Sequence, residues 1–381
     1  MKGFKNANVY VKGKGVLKCD VAFRNGIISA IGNDLDIDDV IAIDKGAVVV
    51  PGFIDEHIHG AAGSDGMDGT VRDISVIANA VVKEGTTAFL VTTMTQSVEN
   101  IKKALSAVNE YIEAKREDGA EVLGAHLEGP FISLKHVGAQ PMEYVQAPSV
   151  EAFSVYEKAS GGHIKIVSLA PETDGAKELI KYLSDKGIVA SIGHTDAKYS
   201  DIMEAKKCGA TNVTHTYNAQ TPLHHREIGV VGTALLDDDL YSELICDTVH
   251  VCPPAVRLLV KNKPDDKLIL ITDSMRAKHL PDGLSELGGQ QVIVKNGEAR
   301  LNNGTLAGSV LKMNDAVKNM VKVIGVDFCT AIDYATANPA KSLGMFSERG
   351  SIAVGKRADF AVLDEDFKVL KTIRGGNVVF G

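Results

Sequence analysis

The chain has 381 residues, 45% of them hydrophobic and 24% charged, and a formal net charge of −8. That length holds one large domain plus a smaller one, and the acidic balance argues against a nucleic-acid partner. No apolar run approaches the roughly 20 residues of a membrane helix, which argues against a membrane partner too.

The N-terminal stretch MKGFKNANVYVKGKGVLKCD carries lysines but no apolar signal segment. The five cysteines (Cys19, Cys208, Cys246, Cys252 and Cys329) are scattered, with no CxxC pair. Free thiols in the reducing cytoplasm are expected. Within residues 1–50, VAFRNGIISAIG places two alternating runs around Asn25-Gly26, a hairpin signal. The tail GKRADFAVLDEDFKVLKTIRGGNVVF again reads as strands and tight turns. We expect residues 1–50 and 346–381 to pair into one small β-sandwich domain, with residues 51–345 inserted between them.

The inserted part alternates. Its β-rich runs are AVVVPGFID, TTAFLVTT, EVLGAHLEG, IKIVSLA, IVASIGHT, NVTHTYN, SELICDTVHV and KLILITDS. Amphipathic stretches such as VENIKKALSAVNEYIEAKRE lie between most of them, with Ile101, Leu105, Val108 and Ile112 on one helical face. Strand–helix alternation implies a parallel sheet, and this many units suit a closed (β/α)8 TIM-like barrel. A doubly wound sheet is the alternative, but no GxGxxG fingerprint follows the first strand. After the last run, QQVIVKNGEARLNNG reads as a further hairpin turning at Asn296-Gly297.

In such a barrel, function sits at the C-terminal ends of the strands. Those ends carry His57, His59, His126, Glu128, His194, His215, His250 and Asp273. His57 and His59 in PGFIDEHIHG are two apart, so a strand aims both to one side while Ile58 packs on the other. They read either as half of a metal site or as a hydrogen-bonded pair near a turn. A lone histidine at a strand end is as a rule a hydrogen-bonded core or loop residue, but a barrel gathers the whole set at one mouth. His, Glu and Asp without a thiolate suit zinc or another first-row divalent ion. An ion with an open position makes hydroxide available near pH 7, and a nearby Asp can move the proton. The reading is metal-assisted hydrolysis.

PGFIDEHIHG together with GSIAVGKRADFAVLD resembles the amidohydrolase superfamily. HLEGPFIS, SIGHTDA, THTYNAQTPLHHREIG, CDTVHV, LITDSM and LAGS resemble, in this order, the family of N-acetylglucosamine-6-phosphate deacetylases within it. The resemblance spans almost the whole chain. It implies Glu128, His194 and His215 as metal ligands and Asp273 as the catalytic acid/base. His57 and His59 would hold a second ion with Glu128 bridging, so one or two ions per chain are expected: zinc, with iron, manganese or cobalt as substitutes. Substrate contacts would fall on Ala139, Gln140, Asn218, Ala219, Arg226, Asp247, His250, Leu306, Ala307 and Gly308. Arg226 suits the phosphate through its planar fork. A phosphate-binding arginine and histidine reach across a dimer interface in the family, which implies a homodimer.

Two positions depart from the family pattern. NAQT stands where many members have Met after NA, and Gln140 stands where some have His. Gln can donate a hydrogen bond to a carbonyl but cannot exchange protons near neutral pH. His136, His224 and His225 read as loop residues shaping the pocket. The implied reaction yields glucosamine 6-phosphate and acetate. Its rivals are deacetylation of the galactosamine epimer and a non-catalytic protein on the same barrel, which should have lost the ligand set.

Overall fold

The computed structural model describes all 381 residues, 1–381. Eight parallel strands follow one another in the order of the sequence: β1 (Phe53–Ile58), β2 (Thr86–Thr92), β3 (Glu121–Glu128), β4 (Ile164–Leu169), β5 (Val189–Ile192), β6 (Asn212–Val213), β7 (Tyr241–Ile245) and β8 (Leu268–Ile271). The ring closes at its C-terminal rim, where Asp273 N–H donates to the His57 carbonyl (2.8 Å) and His59 N–H to that of Ser274 (2.9 Å). The expected barrel is present, and all eight strand ends face one mouth.

Helices wrap the outside. Val98–Glu113 starts at Ser97, whose hydroxyl accepts the Asn100 N–H and satisfies one of the free donors of the first turn. Its inner face buries Ile101, Leu105, Val108 and Tyr111, while Ile112 is only half-buried. No helix is long and apolar enough to cross a membrane.

The two chain ends form the small β domain. Its sheet runs Asn377–Phe380, Val369–Arg374, Phe360–Leu363, Val48–Pro51, Lys2–Val11, Gly15–Arg24 and Ile27–Gly32, with Asp39–Val40 beside Lys2–Val11. Phe4 and Phe360 lie on strands separated by Val48–Pro51, yet their ring centroids are 5.2 Å apart, so the sheet folds over on itself. Phe23, Val9, Val21 and Val362 complete that core. The Asn25-Gly26 turn has positive φ at both residues (51° and 77°), as a two-residue hairpin of this hand needs. Asn296-Gly297 repeats the device (54° and 81°) in a separate three-stranded sheet, Gly283–Leu287, Gln290–Lys295 and Glu298–Leu301, which follows β8.

The run AVVVPGFID serves two sheets. Val48–Pro51 pairs with Phe360–Leu363 in the small domain, and from Phe53 the chain is β1 of the barrel. Between them Gly52 passes so close to Thr87 that a Cβ would lie 2.2 Å from its Oγ1. A larger residue cannot make this crossing without displacing β2.

Candidate active site

Each expected ligand, and the expected acid/base Asp273, stands at or just beyond a strand's C-terminal end. His57 lies within β1 with His59 just beyond it, and Glu128 closes β3. His194, His215 and Asp273 each follow their strand by two residues. These last three have positive φ (48°, 28° and 46°), as does Ala219 at 49°. L-residues adopt such angles at a cost of order 1–3 kcal/mol, and such strain gathers at functional sites. A β-bulge between Asp55 and Ile58 shapes the end of β1, where Ile58 is buried in the outer core with Val91.

The six side chains converge. Glu128 Oε1 is 3.0 Å from His215 Nε2, 3.2 Å from His194 Nε2 and 3.4 Å from His57 Nε2. Its Oε2 is 3.4 Å from His59 Nε2, which is itself 3.1 Å from Asp273 Oδ1. His57 Nε2 lies 3.6 Å from the same Asp273 oxygen. Three groupings of ligand atoms are compact enough for an ion: Glu128–His194–His215 and His57–His59–Glu128, which share Glu128, and His57–His126–Glu243, in which both His126 nitrogens are already bonded.

The donor chemistry fits a cation. His194 Nδ1–H donates to the His136 carbonyl (2.9 Å), so the lone pair of the neutral ring is on Nε2, aimed at Glu128. His194 Nε2 and His215 Nε2 are 3.1 Å apart and face the same carboxylate oxygen. His57 Nε2 is fully buried and has no hydrogen-bond partner. Burial works to lower His59, yet its bonds to Asp273 and Glu128 lift it to about 10. Burial works to raise Glu128 and Asp273, yet the His57 charge and the neighbouring imidazoles hold both below their ordinary range. Lone pairs and carboxylates converging on the same points favour positive charge.

Above this cluster opens a cavity of about 200 Å³. Of the expected substrate residues, Ala139, Gln140, Asn218, Ala219, His250, Leu306 and Gly308 line it, beside Met94, Leu287 and Thr305. Gly308 (φ +61°) lies against Asp273, whose carbonyl would be 3.1 Å from an added Cβ. Gln140 is engaged at both ends: Oε1 accepts the Thr95 N–H (2.6 Å) and Nε2 donates to Glu128 Oε2 (2.7 Å). Asp247 stands behind His250, accepting from its Nδ1 at 2.6 Å, and Ala307 is buried in the neighbouring apolar cluster.

Other residues stay apart. Arg226 is not in the cavity wall. It is exposed, with residues 222–227 around it, and donates to His225 Nε2 (2.7 Å). His126 is at the strand end as expected, but both its nitrogens are taken: Nδ1–H donates to the Glu56 carbonyl (3.1 Å) and Nε2 meets Ser168 Oγ (2.7 Å). Burial pushes it well below its ordinary value.

Residues 48–379 match the Amidohydrolase family. The chain belongs to that family. This amidohydrolase is 47% identical over 336 residues to an N-acetylglucosamine-6-phosphate deacetylase of Bacillus subtilis (strain 168), covering 88% of this chain and 85% of the relative. It is 36% identical over 322 residues to an N-acetylgalactosamine-6-phosphate deacetylase of Escherichia coli O157:H7, covering 84% and 85%. A crystal structure of N-acetylglucosamine-6-phosphate deacetylase from Thermotoga maritima superposes with a TM-score of 0.90 at 37% identity over 99% of both chains. The amidohydrolase is an enzyme, a hydrolase of amide bonds.

Two acids of the amidohydrolase's interior escaped the sequence reading. Glu243 on β7 is fully buried, and its Oε2 accepts from His57 Nδ1 (3.0 Å). Glu56 is also fully buried, and desolvation together with the Glu243 charge pushes it well above its ordinary value. The signal was available: a carboxylate inside the strand runs GFIDEHI and SELI needs a polar partner in the core.

Proposed function

We propose that this amidohydrolase removes the acetyl group of N-acetylglucosamine 6-phosphate, releasing glucosamine 6-phosphate and acetate. The observation that carries the reading is the Glu128–His194–His215 cluster and Asp273 in one cavity wall, in a chain 47% identical to a deacetylase of that sugar phosphate. Glu128, His194 and His215 would hold one divalent ion, and His57 and His59 with Glu128 a second; zinc suits this donor set. Such an ion supplies Lewis acidity that polarises a carbonyl and acidifies a water.

The protein's own groups do the rest. Asp273, ionised beside a site that favours positive charge, takes a proton from the attacking water and delivers it to the departing nitrogen. The water oxygen forms the new bond to the acetyl carbon, the C–N bond breaks, and the amine leaves neutral. Gln140, with one N–H on Glu128, keeps that carboxylate oriented and has its second N–H for the acetyl oxygen. His250, braced by Asp247, faces the far end of the sugar. Asn218, Ala219, Ala139 and the Leu306–Gly308 segment enclose the ring.

Arg226 fits this scheme as a residue given to a second copy of the chain. It lies on an exposed loop with Leu223, itself 51% exposed, and contacts nothing of its own cavity. The enzyme is thus proposed as a homodimer, working in the cytoplasm, where its five free cysteines stay reduced.

Acetate release from the phosphorylated gluco sugar, its galacto epimer and unphosphorylated N-acetylglucosamine tests the substrate, with metal measured on the same preparation. Preference for the galacto epimer would move the assignment to the reaction named for the Escherichia coli relative. No release from either phosphorylated sugar would overturn it.

A further inference from the structure

The proposed metal centre has two halves, His194 and His215 on one side and His57 and His59 on the other, sharing Glu128. A second carboxylate also touches both. Glu243 Oε2 lies 3.0 Å from His57 Nδ1 and 3.1 Å from the backbone N of His215. The Glu243 carbonyl accepts the next N–H, that of Thr216, at 2.8 Å. One residue of β7 thus grips a histidine ring in one half and two successive peptide groups in the other.

We propose that Glu243 is the positioning residue that ties the two halves together, setting the ring of His57 and the backbone of His215 at once. The inference rests on the metal reading given above.

Three physical points support it. First, the carboxylate has no competing employment: it is fully buried and Oε1 has no partner in the protein. Its hydrogen bonding is directed wholly at the two histidines, through charge-assisted contacts that are stronger than neutral ones. Second, once His57 is neutral, as a ligating imidazole is, the Nδ1–H donated to Glu243 leaves its lone pair on Nε2, the atom that faces Glu128 and lacks a hydrogen-bond partner. A carboxylate behind a ligating histidine orients the ring and raises its basicity. Third, His215 is held at φ 28°, a backbone angle that does not persist unless surrounding contacts enforce it. The bond from its N–H to Glu243 is one such contact, and the Thr216 bond is the next.

The consequence is coupling. Loss of His57 removes a ligand from one half only, whereas loss of the Glu243 charge disturbs both. Chelator competition with zinc, on metal-free protein, reads this directly. Glu243→Gln keeps the size and removes the charge, and each ion should bind about 10- to 100-fold more weakly, the usual effect of removing such a partner. His57→Ala should weaken one ion and spare the other. Thermal unfolding of the metal-free variants separates positioning from packing, because a positioning role lowers metal affinity without a matching fall in metal-free unfolding temperature. Should Glu243→Gln not fold, Glu243→Asp, which draws the charge back by one methylene, carries the same expectation.

If the wild type holds a single ion, that ion must still weaken in the Gln variant, through His215. Unchanged affinity in the variant, or weakening of one ion where the wild type holds two, overturns the tie and leaves the metal centre standing. A wild type that binds no divalent ion overturns the metal centre and the tie with it.

Discussion

Asp273 is the residue to which the proposed mechanism gives the proton transfer, and its surroundings suit that role. Its carboxylate stands 3.1 Å from His59 Nε2, and its backbone is pinned by Ser309 N–H to its carbonyl (2.7 Å). Asp273→Asn keeps the shape and removes the proton acceptor, so turnover should fall by about 10² to 10⁴ while metal content holds. Near-wild-type turnover would take the role away from it. With Arg226 of a second copy gripping the phosphate as proposed, Arg226→Ala should lower kcat/KM on the phosphorylated sugar by about one to two decades, since a hydrogen bond to a charged group contributes roughly 1.5–3 kcal/mol. On the unphosphorylated sugar it should change little; an equal loss on both would make Arg226 a structural residue. His250 adds a pH dependence. Burial works to lower it, but the Asp247 bond and charge outweigh burial and hold it above its ordinary 6.5. Its cation is present below that raised value and lost as pH rises through it. The kcat/KM for the phosphorylated sugar should therefore decline on the alkaline side, and His250→Gln should remove that limb from the pH profile.

At the scale of elements, the joint at Gly52 decides how two sheets share one run of sequence. Gly52→Ala forces a Cβ against Thr87, and crowding of this kind costs about 1–3 kcal/mol, measurable as a lower unfolding temperature. Unchanged stability would mean that β2 yields freely. The run is legible as β-rich from its Val repeats and Pro-Gly pair, and the expected boundary at residues 50/51 falls within it, but the strand that pairs with its first half is not legible. That strand is Phe360–Leu363, more than 300 residues away. The hairpins at Asn25-Gly26 and Asn296-Gly297 were readable because their signal is local, two residues able to take positive φ. NVTHTYN has the residue pattern of a full strand but yields a two-residue β6, Asn212–Val213. From His215 onward the chain turns into the site, with positive φ at His215, Tyr217 and Ala219.

For the whole molecule, the centre should couple metal to stability. The proposed ligands stand at the ends of β1, β3, β5 and β6, strands spread around the ring, so an ion bound there would stabilise the closed barrel and not an unfolded chain. Chelation should lower the unfolding temperature, and free ion at about 100 times its Kd should restore about 2.7 kcal/mol. An unfolding temperature indifferent to metal would argue against a centre spanning these strands. Replacing both His57 and His59 with Ala should bring a two-ion enzyme towards one ion per chain with the fold intact. An unchanged stoichiometry would return the pair to the hydrogen-bonded reading that PGFIDEHIHG also allowed.

The order of strands and helices, the turns, and the alignment of His, Glu and Asp at strand ends were written locally, in periodicity and residue type. A sequence therefore determines them by itself: the side-chain period of a strand and the rule that parallel strands share a C-terminal face require no partner to be known. Distances across the barrel are another matter. That Glu128 meets four imidazoles, that His126 spends both nitrogens elsewhere, that Glu243 reaches two histidines, and that Arg226 stands clear of its own cavity depend on residues from different strands and loops. Those contacts exist only once ring closure brings the strand ends together, so the tertiary structure alone decided them.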